Sequence, residues 1–143
     1  MIQIRRSAIV NHTDAQMYAL VNDVEAYPRR FAWCTGASVS DVGEQVLTAR
    51  LEVRVAGMTQ AFTTRNSLVP PQRITMQLLE GPFRTLAGTW DFVALGATGC
   101  KVALALDFEY SGRLMKPIMR AGFEKIADRM VDDFGREAAR VYG

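Results

Sequence analysis

The reactive side chains of this 143-residue chain form no familiar catalytic or metal-binding unit. His12 is the only histidine, and it falls at the end of a predicted strand, where a Ser-His-Asp arrangement finds no partners in the sequence. Cys34 and Cys100 have neither CxxC spacing nor a second histidine to join them, so a zinc site is not expected. Both read as small packing residues, and the sequence leaves a disulfide between them open. Asp107 and Glu109 share the outward phase of a strand and read as surface charges, unlike the facing carboxylates of a glycosidase. No catalytic residue and no metal ligand is predicted, so an enzyme is the minor alternative.

The sequence does carry apolar and aromatic side chains in phase. Trp33, Phe62, Met76, Leu78, Trp90, Phe92 and Phe108 are expected to face inward from strands. Met115, Met119, Phe123, Ile126 and Met130 face them from a C-terminal helix. Methionine is flexible and polarizable, aromatic rings stack on planar groups, and a dry tunnel suits a hydrocarbon chain. A closely packed core satisfies the same pattern, and the residues alone do not decide between them. The entrance is expected at the loops Tyr27 to Trp33, including Phe31, and Gly81 to Arg84, including Phe83. Gly112 and Gly122 flank Pro117 and would let the helix start bend, although ordinary loop chemistry also explains them.

A cationic patch is the other candidate. Arg113, Lys116 and Arg120 stand at the predicted helix start, with no acidic residue from Tyr110 to Phe123. Cations there oppose the helix dipole by ~0.3–1 kcal/mol. That placement suits phosphate, on a membrane surface or on RNA. Further along, Lys125, Arg129, Arg136 and Arg140 alternate with Asp128, Asp132, Asp133 and Glu137, which reads as a solvated face.

The elements that must position these residues follow from periodicity. Ile2 to Val10 reads as a strand, and Thr13 with Gln16 is a capping-box pattern opening a helix from Asp14 to about Asn22. A helical turn or two follows before Pro28 and Phe31. Period-two alternation then runs through Val39–Val42, Leu47–Val55, Phe62–Leu68, Ile74–Leu78, Leu86–Phe92 and Val102–Phe108, separated by turn signals such as Ala56-Gly57. Ser111 to Tyr142 carries apolar residues at three- and four-residue steps, one long amphipathic helix. The order predicts an α+β fold over residues 1–143 as a single domain. It consists of an antiparallel curved sheet of about six to seven strands around the long C-terminal helix, with two short helices after the first strand.

Composition bounds the rest. With 49% hydrophobic and 22% charged residues and a mean hydropathy of +0.01, the chain is ordinary for a globular protein. No apolar run approaches the ~20 residues that span a bilayer. Arg5 and Arg6 interrupt the N-terminus where a signal peptide needs an apolar run, so a cytoplasmic protein is expected. The net charge of +2 is too small to announce a DNA partner.

Several segments together resemble a known family. Leu20-Val21-Asn22-Asp23-Val24-Glu25-Ala26-Tyr27-Pro28, then Phe31 and Cys34-Thr35-Gly36, resemble the N-terminal signature of the RatA/coenzyme Q-binding START family. So do Phe62-Thr63-Thr64-Arg65-Asn66, Glu80-Gly81-Pro82-Phe83 with Leu86, Gly88, Trp90 and Phe92, and Asp107-Phe108-Glu109. The motifs span nearly the whole chain in the family's order, and the chain is most similar to the short bacterial RatA/PasT-type members. The resemblance implies the helix-grip fold of START and polyketide cyclase-like domains. It implies a cavity for ubiquinone or a similar isoprenoid quinone or lipid in support of respiration, with no covalently bound cofactor. It also implies a contact beyond the cavity, with the large ribosomal subunit, whose joining to the small one some bacterial members are described as blocking as toxins. A transient contact with the inner membrane surface is the expectation from the cationic patch. Aromatase/cyclase relatives keep the enzyme alternative in view.

Overall fold

The computed structural model describes residues 1–112 and 114–143. Its first strand, β1 (Ile2–Val10), leads into α1 (Asp14–Asn22). The Thr13 capping box is formed in both directions: Thr13 Oγ1 accepts from the Gln16 amide at 3.1 Å, and the Thr13 amide donates to Gln16 Oε1 at 2.9 Å. A 3₁₀ turn (Val24–Ala26) and the short α2 (Tyr27–Arg30) follow. Pro28 sits in the first turn of α2, where its missing N–H costs no helical bond, so it starts this helix rather than breaking it.

Six strands then run in a meander: β2 (Cys34–Ser40), β3 (Val46–Val55), β4 (Met58–Val69), β5 (Arg73–Glu80), β6 (Phe83–Leu95) and β7 (Gly99–Tyr110). Every pairing is antiparallel, and β1 closes the order β1-β7-β6-β5-β4-β3-β2 by pairing with the last strand. A two-residue turn joins β3 to β4, with Ala56 at φ 51° and Gly57 at φ 78°, the left-handed pair that such hairpins require. The register shifts between Cys34 and Gly36, between Thr63 and Thr64, and between Phe83 and Thr85. Such bulges bend the strands and curl the sheet.

The concave face is covered by α3 (Pro117–Tyr142), 26 residues and so ~39 Å long. The helix does not begin at Ser111 as the apolar spacing predicts. Pro117 takes its first position, preceded by Lys116 in an extended conformation, and residues 111, 112 and 114–116 are not helical. Gly122 marks the helix's nearest approach to the sheet: an added Cβ would lie 2.2 Å from Val55 Cγ1. Its small size allows contact rather than a bend. Arg6 of β1, inward by phase, pairs with Asp128 of α3.

Apolar residues between sheet and helix fall into two clusters. One, under the C-terminal half of α3, is built on Met17, Trp90, Val102 and Phe134. The other, at the N-terminal half, is built on Phe83, Phe108, Met119 and Phe123. Cys34 and Cys100 are free and buried, and burial pushes both thiols up, which keeps them protonated.

Candidate functional site

Between the two clusters the helix and sheet leave a hollow of about 80 Å³. Seven of the side chains expected to face a ligand line it: Trp33, Phe62, Met76 and Trp90 from the sheet side, and Phe123, Ile126 and Met130 from α3. Tyr27, expected at the entrance, belongs to the wall as well. Its hydroxyl donates to the Val21 carbonyl, and burial pushes its pKa far up, so it holds the 3₁₀ turn in place and has no proton to give at neutral pH.

The remaining five expected lining residues pack elsewhere. Phe108 is fully buried in an aromatic cluster, edge-on to Phe83, Tyr110 and Phe123 at 5.3–5.9 Å. Met115 and Met119 are buried in the same cluster, and Leu78 packs on its margin. Phe92 lies against Tyr18 of α1 and Trp90. All share the inward phase, but they sit beyond the ends of the hollow, where facing side chains meet and fill the space.

The expected entrance residues Phe31 and Phe83 are packing groups too. Phe31 stacks on Trp33, with ring centroids 5.1 Å apart and planes 10° from parallel, and meets Phe134 edge-on. Phe83 is the first residue of β6 and is buried, because its bulge turns the ring inward onto Phe62 and Phe123.

The cationic patch divides. Lys116 is exposed at the helix start. Arg120 is engaged: its Nε donates to the Met115 carbonyl at 2.9 Å, its Nη2 to the Gly112 carbonyl, and its guanidinium lies 4.6 Å from the Tyr110 ring centre. Those bonds tie down the segment before α3 and account for a cation at an unfavourable helix end. Arg113 lies outside the described residues.

Two polar features stand out in the lining, and the inward residues did not announce them as a site. Thr64 and Asn66 are in phase with Phe62 on β4, buried, and joined by a bond from Thr64 Oγ1 to Asn66 Oδ1 at 2.7 Å. With its oxygen taken, Asn66 keeps its amide nitrogen as a donor. The Trp33 indole N–H is buried and has no acceptor. A buried donor without a partner is uncommon and marks a place where an acceptor is wanted. The signal in the sequence was two small polar residues on an otherwise apolar strand phase.

The lining holds no carboxylate, imidazole, amine or thiol. Among the described residues, no three His, Cys, Asp or Glu side chains converge as metal ligands.

Beyond the hollow, ions tie α3 to α2. Glu137 of α3, buried, accepts from Arg30 Nη1 of α2 at 2.9 Å and from Arg140 Nε at 3.1 Å. Arg140 and Arg30 hold the Glu137 carboxyl below its usual range against the opposing effect of burial.

Comparison with known proteins agrees with this geometry. Residues 10–135 match the family described as polyketide cyclase/dehydrase and lipid transport. The ribosome association toxin RatA of Vibrio cholerae is 41% identical over 143 residues, covering 100% of this chain and 99% of its own. The persistence and stress-resistance toxin PasT of Escherichia coli is 39% identical, covering 99% of this chain and 90% of its own. A mitochondrial coenzyme Q-binding protein of Xenopus laevis, COQ10 homolog B, is 26% identical, covering 99% of this chain and 60% of its own. Among solved structures, the Zhui aromatase/cyclase of Streptomyces sp. R1128 superposes with a TM-score of 0.86 at 22% identity, covering 99% of this chain and 96% of that one. That likeness establishes the helix-grip fold. The chain belongs to the polyketide cyclase/dehydrase and lipid transport family, as a START-like member of the RatA/PasT type.

Proposed function

We propose that the chain is a non-enzymatic binding protein for an apolar, isoprenoid-type small molecule that carries acceptor oxygens, with ubiquinone as the model ligand. The observation that carries this is the make-up of the hollow: apolar walls, the Asn66 amide as a polar group in the lining, and Trp33, a wall residue whose buried indole N–H has no acceptor. Quinone carbonyls are acceptors, and aromatic walls suit a planar ring. The coenzyme Q-binding relative points the same way. A reaction would need an acid, base or nucleophile, and the wall's one titratable group, Tyr27, is bonded and held protonated.

At about 80 Å³ the hollow is well below the roughly 300–1,000 Å³ of ordinary ligand pockets, so uptake requires it to widen. Met76 and Met130 are the side chains suited to that, since an unbranched thioether moves aside at small cost. The test is solvent extraction and mass spectrometry of freshly purified protein, followed by quinone binding to wild type and Trp33→Phe. Co-purified isoprenoid, and affinity falling about 5- to 10-fold in Trp33→Phe, is expected for a lost hydrogen bond. A protein with no lipid and no affinity for quinone would sink the proposal.

A second reading rests on the relatives near 40% identity named ribosome association toxins. On it, the chain binds the large ribosomal subunit through surface cations such as Lys116, in a stretch without acidic residues from Tyr110 to Phe123. Co-sedimentation with large subunits that fades as salt rises is the expected result. No co-sedimentation at low salt would remove this reading.

A further inference from the structure

Outside the hollow, α3 and the end of β3 enclose an open groove of about 310 Å³. Trp33 and Ile126 line both spaces, so the groove is the outer side of the cavity wall. Its rim is strongly cationic. Arg54 comes from β3, and Lys125 and Arg129 lie one turn apart on α3. Among the described residues these three make no ion pair. The groove's one carboxylate, Asp133, is taken by Arg136.

Lys125 and Arg129 at i,i+4 repel each other, and Arg54 adds a third charge across the cleft. A concave surface lined by one sign of charge concentrates the field on an approaching anion. The floor, by contrast, is apolar and small: Val55, Gly122 and Ile126. Cations around an apolar floor, outside a wall shared with an apolar hollow, match one end of an amphiphile. An extended RNA strand would instead need a track of free cations continuing beyond the cleft, where the next ones, Arg136, Arg140 and Arg30, are engaged by Asp133 and Glu137.

We propose that this groove binds the anionic head group of a phospholipid, seating the cavity wall formed by Trp33 and Ile126 on a membrane surface. The proposal rests on the hollow being the ligand site and adds the surface from which the ligand enters. The helix half that carries it reads from sequence as a solvated face, because Asp128, Asp132 and Asp133 are interspersed. The fold separates these charges, with Asp128 engaged by Arg6 and Asp133 by Arg136.

The experiment is co-sedimentation with phosphatidylcholine vesicles, with and without roughly a third phosphatidylglycerol, at low and high salt. Wild type is compared with Lys125→Gln/Arg129→Gln, two exposed positions whose replacement leaves the core intact. Wild type is expected to partition onto the anionic vesicles alone, and the double variant about 30-fold less, the loss of two surface cations. Both proteins should bind a soluble quinone in detergent equally. Equal binding of the two proteins to anionic vesicles, or equal binding of wild type to neutral vesicles, overturns the proposal. So does displacement by inorganic phosphate, which would mark a free-anion site, or tighter binding of an oligouridylate, which would assign the groove to RNA. If vesicle binding fails while quinone binding persists, only the groove is wrong. Loss of quinone binding in wild type instead removes the cavity.

Discussion

The first turns of α3 and its middle face the same sheet with the same kinds of side chain, yet the first turns are packed solid and the middle is not. At the N-terminal end, Met119 and Phe123, with Met115 just ahead of the helix, meet Phe83 and Phe108 in a closely packed cluster. One turn further on, Ile126, Ala127 and Met130 face Trp33, Met76 and Trp90 across a hollow. The difference is one of summed volume. Ala127 offers a single methyl where its counterparts offer long or aromatic groups, and Thr64 and Asn66 replace apolar bulk on β4. A binding site in this fold is therefore a local shortage of volume with a few polar groups, and richness in Met or Phe does not locate it.

The largest expected effect comes from opening the solid end. Phe108→Ala should cost about 3–5 kcal/mol in urea unfolding, as a large cavity in a region that cannot collapse. A cost under about 1 kcal/mol would show that this end is as loosely filled as the middle.

The ionic tie between α2 and α3 comes next. Glu137→Gln should cost about 1.5–3 kcal/mol, the loss of charge-assisted bonds to Arg30 and Arg140. Its folded pKa is depressed, so its contribution is complete above the unfolded value of about 4.3 and is lost as pH falls below it. Wild type should therefore lose more stability than Glu137→Gln between neutral and acid pH. Parallel curves would mean the carboxylate is not held by the two arginines.

The smallest change in stability belongs to the hollow itself. Ala127→Leu adds three carbons to its wall. Filling about 80 Å³ returns at most about 2 kcal/mol at 24 cal/mol per Å³. At the solid end the same enlargement would overpack and cost about 1–3 kcal/mol. A destabilised Ala127→Leu would erase the contrast between the packed end and the hollow.

Much of the fold was legible because the strands from β3 to β7 largely alternate between dry and wet positions, with Thr64 and Asn66 of β4 as exceptions. The Thr13–Gln16 box, the Ala56-Gly57 turn and the meander of β2 to β7 followed from local chemistry, whereas the pairing of β1 with β7 is non-local. The start of α3 did not, since Leu114 and Met115 continue the helical apolar phase across a segment that Pro117 excludes from the helix. The cavity was legible only in part. Trp90 and Phe92 have the same phase on one strand, as do Leu106 and Phe108, and phase cannot say which of them borders empty space. That depends on what stands opposite, on elements brought together only by the fold. The role of Arg120 was hidden for the same reason: its acceptors are carbonyls of a segment whose path the sequence does not fix.

The most direct test is the thermal unfolding midpoint of wild type and Ala127→Leu, each with and without a short-tailed ubiquinone analogue. At a hundredfold excess over Kd, the wild-type midpoint should rise by roughly 5–10 °C. Ala127→Leu should unfold at or above the wild-type temperature without ligand and show no further rise with it. An equal rise in both proteins would contradict a quinone site between Trp33, Asn66 and α3.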